Sequence, residues 1–292
     1  MVNIPSSMRT RALGHELIGL RKAAGYSGME FARKLGWENS RLNRIENGKY
    51  NTTEIDITQY VTTLGHPRRT LDQLLTMLRQ ATDGFVVQPH TVRLSDELHT
   101  LVRHETTSRS IHNFQLTIVP GLLQTKKYAS ALMAGFRLGE KDRIEGLVQA
   151  RVARQAIFNR PMQPACTFYI HEFALRLPVG GSRVMNDQVM HLAFMANAHR
   201  VSIRIIPAER GAFTGVGGGA FTVMDHADDQ HLPIASVELV GCTLFMDDSS
   251  TVRAHQEVLE ELDRVALDRA QSQAWLVKLA SEYDRPGALD LV

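Results

Sequence analysis

The sequence predicts an α+β protein that has an N-terminal all-α bundle of five helices and a C-terminal α+β domain. A chain of 292 residues suits two domains, since a domain usually holds roughly 100–200 residues. Apolar residues recur at helical spacing through about the first 80 residues, whereas short strand-like runs alternate with helical stretches afterwards. Strands interspersed with helices, without a repeat, are typical of an α+β fold. We therefore place the domains at residues 1–82 and 90–292.

The composition is that of an ordinary globular protein. Hydrophobic residues make up 43% of the chain and charged residues 22%, which excludes disordered and fibrous classes. No stretch reaches the roughly 18–20 apolar residues of a membrane span, and the first ten residues lack the apolar core of a secretory signal. Cys166 and Cys242 are too few for a disulfide framework, so we expect buried thiols. The predicted location is the cytoplasm, with no membrane partner.

Positive charge is concentrated at the N-terminus. Through Thr52 the chain has nine Lys and Arg against four Glu, and the remainder has 24 basic against 27 acidic residues. A compact basic segment on a mildly acidic body is suited to binding a polyanion, because neutralising the phosphates of the polyanion releases its counterions. Charge alone does not separate such a protein from one with an ordinary basic helical surface, so the local sequence has to decide.

The first fifty residues predict three helices. The first spans residues 9–24 and is stopped by Gly25. Ser27, with Glu30 three residues on, has the spacing of a capping box and begins a second, short helix that Gly36 ends. The third spans residues 38–46, and Asn47-Gly48 closes it. Two short helices joined by a tight turn with a glycine form a helix-turn-helix unit.

Residues 27–48, SGMEFARKLGWENSRLNRIENG, resemble the helix-turn-helix of Xre-type, phage-repressor-like regulators. The matching positions are Ala32, Gly36, Leu42, Ile45 and Glu46-Asn47-Gly48. In that family the third helix enters the major groove of double-stranded DNA, so the resemblance implies a transcriptional regulator. Glu38 stands where the family more often has a Ser or Thr cap, and its carboxylate suits the helix dipole but repels a nearby phosphate.

With Leu42 and Ile45 turned inward, the outward face of the third helix supplies the predicted base contacts: Asn39, Ser40, Asn43 and Arg44. Asn pairs bidentately with adenine and Arg with guanine, and each such pair gives roughly 1–3 kcal/mol of discrimination. Contacts to phosphates, which set the register, are predicted at Ser27 and its first-turn amides, Arg41, Asn47 and Lys49. A solvated helix would also have a polar face, but the whole motif favours DNA.

Two further helices complete the bundle, at residues 54–64 and 70–81. The first carries a helical stripe formed by Ile55, Ile57, Tyr60 and Val61. A linker is predicted from Asp83 to Pro89. In the C-terminal domain, helices are predicted at residues 94–111, 125–132, 141–159, 184–199, 252–267 and 272–283. Strands are predicted at residues 114–119, 167–170, 201–206, 220–224, 234–239 and 243–246.

Residues 118–125, IVPGLLQT, with Tyr128-Ala129 after them, are similar to the hallmark of a domain of actinobacterial antitoxin-like regulators. Further matches are Arg151-Val-Ala-Arg-Gln155, His171-Glu-Phe-Ala-Leu175 running to Gly180-Gly181, Met185 with Gln188, and Ile206-Pro207 with Gly211. The resemblance implies a regulator that is often encoded beside a small companion protein, which is then a candidate partner. His171 stands where the family usually has an Asp before the Glu.

Arginines recur along the predicted helix 141–159. Arg143, Arg151 and Arg154 could share one face, and we favour a solvated face paired with the acidic residues at 140, 142 and 145. The alternative is a site for an anionic effector or an acidic partner. For an effector or partner site the candidates are Arg151, Arg154, Gln155 and Glu172.

Enzyme and metal hypotheses have less support. Gly215–Gly219 is glycine-rich, but a strand and not a helix is predicted to follow it, which favours a flexible connection or pocket lid over a phosphate cradle. His226–His231 contains His and Asp, yet such loops are usually just solvated. A nucleophile elbow and a zincin helix are both missing from the sequence. We expect that the protein is not an enzyme and that it has no cofactor, catalytic residue or metal ligand. The alternative is an enzymatic or metal-binding C-terminal domain that the N-terminal domain targets to DNA.

One recognition helix covers only a few base pairs. We therefore expect a homodimer on a two-fold operator, with half-sites about one helical turn (~34 Å) apart. The C-terminal domain would then dimerise and sense a small-molecule effector or a small companion protein.

Overall fold

The computed structural model describes residues 7–80, 85–89, 94–135, 141–226, 232–239 and 242–285. It falls into two compact units, of which the first contains the N-terminal helices and the second the strands and helices from residue 108 to residue 206. The N-terminal helices are α1 (Met8–Ala23), α2 (Gly28–Leu35), α3 (Asn39–Glu46), α4 (Glu54–Leu64) and α5 (Arg68–Gln80). The predicted five-helix bundle is confirmed.

Local sequence signals set the ends of α2. The Ser27 side chain accepts a hydrogen bond from the Glu30 amide at 3.3 Å, and the Ser27 amide donates to the Glu30 carboxylate at 2.9 Å, so the predicted capping box is present. Gly36 ends the helix at φ 70°, in the left-handed region that glycine enters without strain.

Helices α1 to α5 surround one apolar core. Leu17, Phe31 and Tyr60 are completely buried in it, and Leu42 and Ile45 of α3 are nearly so. The predicted stripe on α4 is wrong at one position, because 77% of the Ile55 surface is exposed. Ile55 lies in the first turn of α4 and is apolar at a helical spacing, but its side chain does not face the core.

The rest of the chain mixes helices with strands, as predicted. The helices are α6 (Leu94–Thr107), α7 (Lys126–Gly135), α8 (Lys141–Arg154), α9 (Glu172–Arg176), α10 (Ser182–Met195), α11 (Thr214–Gly218), α12 (Ser249–Val265) and α13 (Arg269–Tyr283). The strands are β1 (Phe85–Pro89), β2 (Ser108–Gln115), β3 (Ala165–His171), β4 (Val201–Ile206), β5 (Phe221–His226), β6 (Ile234–Leu239) and β7 (Cys242–Met246). The fold class is α+β.

The described strands form a seven-stranded sheet in the order β1-β7-β6-β5-β2-β3-β4. Strands β2, β3 and β4 are parallel neighbours, with Ile111 opposite Cys166 and Cys166 opposite Val201. Helices α7 and α8 connect β2 to β3, and α9 and α10 connect β3 to β4. Parallel strands need such crossovers, and their faces are therefore covered by helices.

Several predicted element boundaries are wrong. Residues 85–89, predicted as a linker, form strand β1 at the edge of the sheet, where a terminal proline is tolerated. The helix predicted through residue 111 ends at Thr107, and the strand predicted at 114–119 starts at Ser108 instead. The helix predicted to residue 159 ends at Arg154 and continues as a 3-10 turn. The glycine-rich connection at 215–219 begins as the short helix α11.

Candidate nucleic-acid interface and C-terminal cavity

Helix α3 is anchored to the bundle by its apolar side. Leu42 and Ile45 retain only 1% and 2% of their accessible surface, as the sequence predicts. Asn39, Ser40 and Asn43 lie on the opposite, exposed side. The helix therefore presents a short polar face while its orientation is set by burial on the other face.

A buried ion pair holds the C-terminal end of α3. Arg21 of α1 donates to both carboxylate oxygens of Glu46, at 2.7 Å from Nε and 2.9 Å from Nη2. The Tyr60 hydroxyl of α4 donates to Glu46 Oε1 at 2.7 Å. Burial, together with this bond to Glu46, raises the pKa of Tyr60 well above its usual range. The carboxylate of Glu46 thus joins α1, α3 and α4.

Two glycines let α1 approach the end of α3 closely. A Cβ atom added at Gly14 would lie 2.2 Å from the carbonyl oxygen of Glu46, and one at Gly48 would lie 2.6 Å from the carbonyl carbon of Thr10. Gly48 also has φ 67°, a conformation that side chains rarely adopt. No other residue fits at either position without moving the backbone of α1 or α3.

Two of the predicted base-contacting residues, Ser40 and Asn43, form hydrogen bonds with residues close to them in sequence. Ser40 Oγ donates to the Glu38 carboxylate at 3.2 Å, and Asn47 Nδ2 donates to Asn43 Oδ1 at 2.8 Å. Asn39 is exposed at the first turn of α3, near Gly28 of α2. The half-buried Arg44 places its guanidinium 5.4 Å from the centre of the Tyr50 ring, a cation–π distance.

Arg41, predicted to contact phosphate, is held by the bundle. Its Nη2 donates to Asp56 Oδ1 at 2.6 Å, and its guanidinium lies 4.5 Å from the centre of the Trp37 ring. Its side chain keeps about a third of its surface, 36%. Of the other predicted phosphate contacts, Ser27 caps α2, Asn47 folds back onto α3 and Lys49 is half-buried.

In the second unit the structure brings Arg151, Arg154 and Gln155 together around Gln124. Arg151 Nη1 donates to Gln124 Oε1 at 3.0 Å, and Gln155 Nε2 donates to the Gln124 carbonyl at 2.6 Å. Arg154 makes a two-pronged ion pair with Glu105 of α6, at 3.1 Å from Nε and 2.5 Å from Nη2. Gln124 is completely buried. Gln124, Arg151, Arg154 and Glu105 line a largely enclosed cavity of about 40 Å³, whereas Gln155 does not.

The solvated face that the sequence favoured is therefore wrong for Arg154, whereas Arg151 is half-buried against Gln124. The Arg154 side chain keeps only 10% of its surface, and its acidic partner lies 49 residues away in sequence. The acidic neighbours along α8 misled the interpretation, because they satisfy the charge pattern of an exposed helix. The side chain of Arg143 lies outside the described residues.

Glu172, the fourth candidate for an effector site, does not line this cavity either. Its carboxylate accepts from Arg176 at 2.5 Å and from the Ala208 amide at 2.9 Å. Partial burial acts to raise the pKa of Glu172, but the Ala208 amide and Arg176 outweigh it, so the pKa lies below its usual range. His171 caps α9 by accepting from the Phe173 amide at 3.1 Å. These contacts are those of a helix end.

The structure adds residues that the sequence did not single out. Glu105 and Asn113 line the cavity with the arginines. The signal for Asn113 was available, because polar residues alternate along β2 where the central strand of a covered sheet is usually apolar. Because these residues are polar, the predicted strand begins at residue 114, whereas β2 begins at Ser108.

The two cysteines differ from each other. Cys166 is buried, and burial raises the pKa of its thiol to about 12, so it is an unreactive thiol. Cys242 is partly exposed, which the prediction of two buried thiols missed.

The remaining alternatives gain no support from the described residues. Within that part of the chain, no three His, Cys, Asp or Glu side chains gather as a metal site would require. Of the loop His226–His231, only His226 belongs to the described residues. Where side chains and backbone are described, no helix is both long and apolar enough to cross a bilayer.

Comparison with known proteins supports the class suggested by α2 and α3. Residues 12–74 match the family model of a helix-turn-helix domain, which supports a DNA-binding regulator. Residues 98–278, more than half of the chain, match the family model described as a domain of unknown function (DUF5753). The chain belongs to that family. Neither a curated protein nor a solved structure matches it.

Proposed function

We propose that this protein is a sequence-specific transcriptional regulator of the Xre type and not an enzyme. It binds a two-fold operator as a homodimer in the cytoplasm, and its antitoxin-like C-terminal domain senses a small molecule or a small companion protein. The observation that carries the proposal is the face of α3, which is polar and exposed on one side and anchored by Leu42 and Ile45 on the other.

The size of α3 supports it. With eight residues, α3 is about 12 Å long, long enough to reach a few base edges in the major groove. Asn39, Asn43 and Arg44 are the residue types that read adenine and guanine there. Recognising a full operator then takes two copies of α3, which is the reason for proposing a homodimer.

The test is selection of binding sites from random duplex DNA, followed by affinity measurements across salt concentrations. We expect a two-fold motif bound by two chains, with affinity that falls as salt rises. Arg44→Lys keeps the charge but loses the planar fork, so it should relax the preference at one position of each half-site by roughly 1–3 kcal/mol while leaving the salt slope unchanged.

Two comparisons make the result specific. Arg68→Ala removes an exposed arginine of α5 that is not among the predicted DNA contacts, and should change neither motif nor affinity. Lys49→Ala should weaken all sequences alike and reduce the salt slope by about 1. Affinity that ignores salt, or a motif unchanged by Arg44→Lys, would contradict the proposal.

A further inference from the structure

The chain turns back on itself directly after α3. The Lys49 amide donates to the Arg44 carbonyl at 2.8 Å, and the Gly48 amide donates to the Ile45 carbonyl at 3.0 Å. With Gly48 at φ 67°, these are the two hydrogen bonds of a Schellman motif. The motif ties residue 49 to the last turn of α3, so the next residue, Tyr50, lies beside the helix.

Tyr50 places its ring beneath both arginines of α3. The guanidinium of Arg44 lies 5.4 Å from the centre of the ring, and that of Arg41 lies 5.7 Å from it. Both distances are within the roughly 6 Å over which an aromatic ring attracts a cation. The ring is half-buried and packs against the apolar core of the bundle. The two arginines thus share one aromatic contact that the core itself supports.

Of these two arginines, Arg41 has further anchors in the bundle. Its Nη2 donates to Asp56 Oδ1 at 2.6 Å, and its guanidinium lies over the Trp37 ring at 4.5 Å. Asp56 is only 4% exposed, so this anchor is fixed by burial. Arg41 therefore keeps its place without Tyr50 and helps to hold the ring. The ring lies between this fixed arginine and Arg44, the predicted reader of a base.

The direction of Arg44 matters because an arginine side chain is long and flexible. A side chain that becomes ordered only on binding lowers the affinity, whereas one held in its bound direction beforehand avoids that cost. The planar fork also has to meet both acceptors of a guanine at once. We propose that Tyr50 is a positioning residue for Arg44, and that its ring holds the guanidinium in the direction from which it pairs with guanine. This inference rests on the proposed function, since it concerns the same face of α3.

The test is a double-mutant cycle, measured on the operator that the wild-type protein selects. Tyr50→Leu removes the ring and keeps an apolar side chain, and Tyr50→Met replaces it if the leucine variant does not fold. We expect either variant to lower the affinity about five-fold for each half-site, which corresponds to the ~1 kcal/mol of a cation–π contact. In an Arg44→Ala background the same substitution should cost less than about two-fold, because the residue that the ring positions is then missing.

The conservative variant separates the ring from the hydroxyl. Tyr50→Phe keeps the ring and should stay within about two-fold of the wild-type affinity. If the hydroxyl of Tyr50 contacted DNA directly, Tyr50→Phe would weaken binding as much as Tyr50→Leu does, and this result would overturn the positioning role.

A role through Arg44 also predicts a change in base preference. Tyr50→Leu should reduce the preference for guanine at the position that Arg44→Ala relaxes, and at no other position. Tyr26→Leu is the matched control, because Tyr26 is also half-buried against the core and lies beneath a cation that does not belong to α3, Lys34 at 4.5 Å. It should leave the guanine preference unchanged. A merely structural role of Tyr50 would weaken all duplexes alike.

The contact itself is tested without DNA, by NMR of the full-length protein labelled in its arginines. A ring current shifts protons above the ring upfield, so the side-chain signals of Arg44 should move on Tyr50→Leu and change little on Tyr50→Phe. Their absence from Arg44→Ala identifies them. Arg44 signals that Tyr50→Leu leaves in place would overturn the inference.

The positioning role and the proposed function fail in different ways. If the wild-type protein selects no DNA motif, the proposed function fails, and the positioning role fails with it. If a motif is selected but does not depend on Arg44, or if Tyr50→Leu costs the same with and without Arg44, the positioning role alone is overturned.

Discussion

At the scale of single residues, Glu46 connects three helices of the N-terminal bundle through its carboxylate. Its carboxylate is 7% exposed and receives hydrogen bonds from Arg21 and Tyr60. Its bond to Arg21 raises the pKa of that guanidinium, which remains charged inside the bundle. Removing one partner of a buried ion pair leaves the other charge without compensation, which costs more than the pair contributes.

We therefore predict that Glu46→Gln destabilises the N-terminal unit by roughly 3 kcal/mol. Trp37 lies in this unit, and Trp275→Phe leaves it as the single tryptophan of the chain, so its fluorescence during urea unfolding reports the unit alone. Glu16→Gln changes an exposed acid of α1 and serves as the matched control. A loss below about 0.5 kcal/mol, the range of ordinary surface substitutions, would contradict the role given to Glu46.

Residue identity predicted some contacts and missed others. Leu42 and Ile45 could be assigned to the core because helical spacing and apolar character agree. Arg154 could not be paired with Glu105, because the two meet across α6 and α8 and the spacing between them carries no periodic signal. Ile55 shows the opposite error, since its spacing fits the apolar stripe of α4 but its side chain is exposed.

At the scale of elements, α1 contains two glycines in different surroundings. A Cβ atom at Gly14 would collide with the Glu46 backbone at 2.2 Å, whereas one at Gly19 would meet nothing within 4 Å. Backbone cannot rotate away as a flexible side chain can. Comparing alanine at the two positions therefore distinguishes the effect of helix propensity from that of the packing of α1 against α3.

We predict opposite effects for the same substitution at these positions. Gly19→Ala should stabilise the N-terminal unit by up to about 1 kcal/mol through helix propensity. Gly14→Ala should destabilise it by roughly 1–3 kcal/mol, because α3 has to shift. It should also weaken operator binding if α3 is the recognition helix. Urea unfolding of both variants checks this, and equal stability of the two would show that α1 and α3 are not in close contact.

Strands were harder to predict than helices. The capping box of α2 and the apolar spacing within α4 are local signals, so the ends of these helices could be predicted to within a residue or two. Strand β1 depends on pairing with β7, more than 150 residues later in the chain, and β2 carries polar residues because it faces a polar cavity. Neither reason is visible in a short window of sequence.

At the scale of the whole molecule, partly buried histidines couple stability to pH. Burial lowers the pKa of His112, against the opposing effects of Asp225 and Asp263, and burial also lowers the pKa of His191. The unfolded chain then binds more protons than the folded one in the range between the folded and unfolded pKa values. Their contribution to stability is present above the unfolded pKa of about 6.5 and is lost as the pH falls through the folded pKa.

We therefore predict that the second unit is less stable at pH 5.5 than at pH 7.5. Trp275 fluorescence in a Trp37→Phe background reports this unit during urea unfolding. His112→Asn should reduce the difference between the two pH values, while His199→Asn, at an exposed position, should not. The pH range lies above that in which Glu172 and Asp248, with their lowered pKa values, take up protons. If His112→Asn leaves the difference in stability between the two pH values unchanged, other groups cause that difference.

The sequence alone determined the five helices, the capped helix-turn-helix and the polar face of α3, because each follows from a pattern of residues that lie only a few positions apart. The tertiary structure alone decided the inward turn of Arg151 and Arg154, the buried link between Glu46 and two other helices, and the cavity beside Asn113. Those features join groups from distant parts of the chain. Whether a polar side chain meets water or another buried group is decided only when those parts pack together.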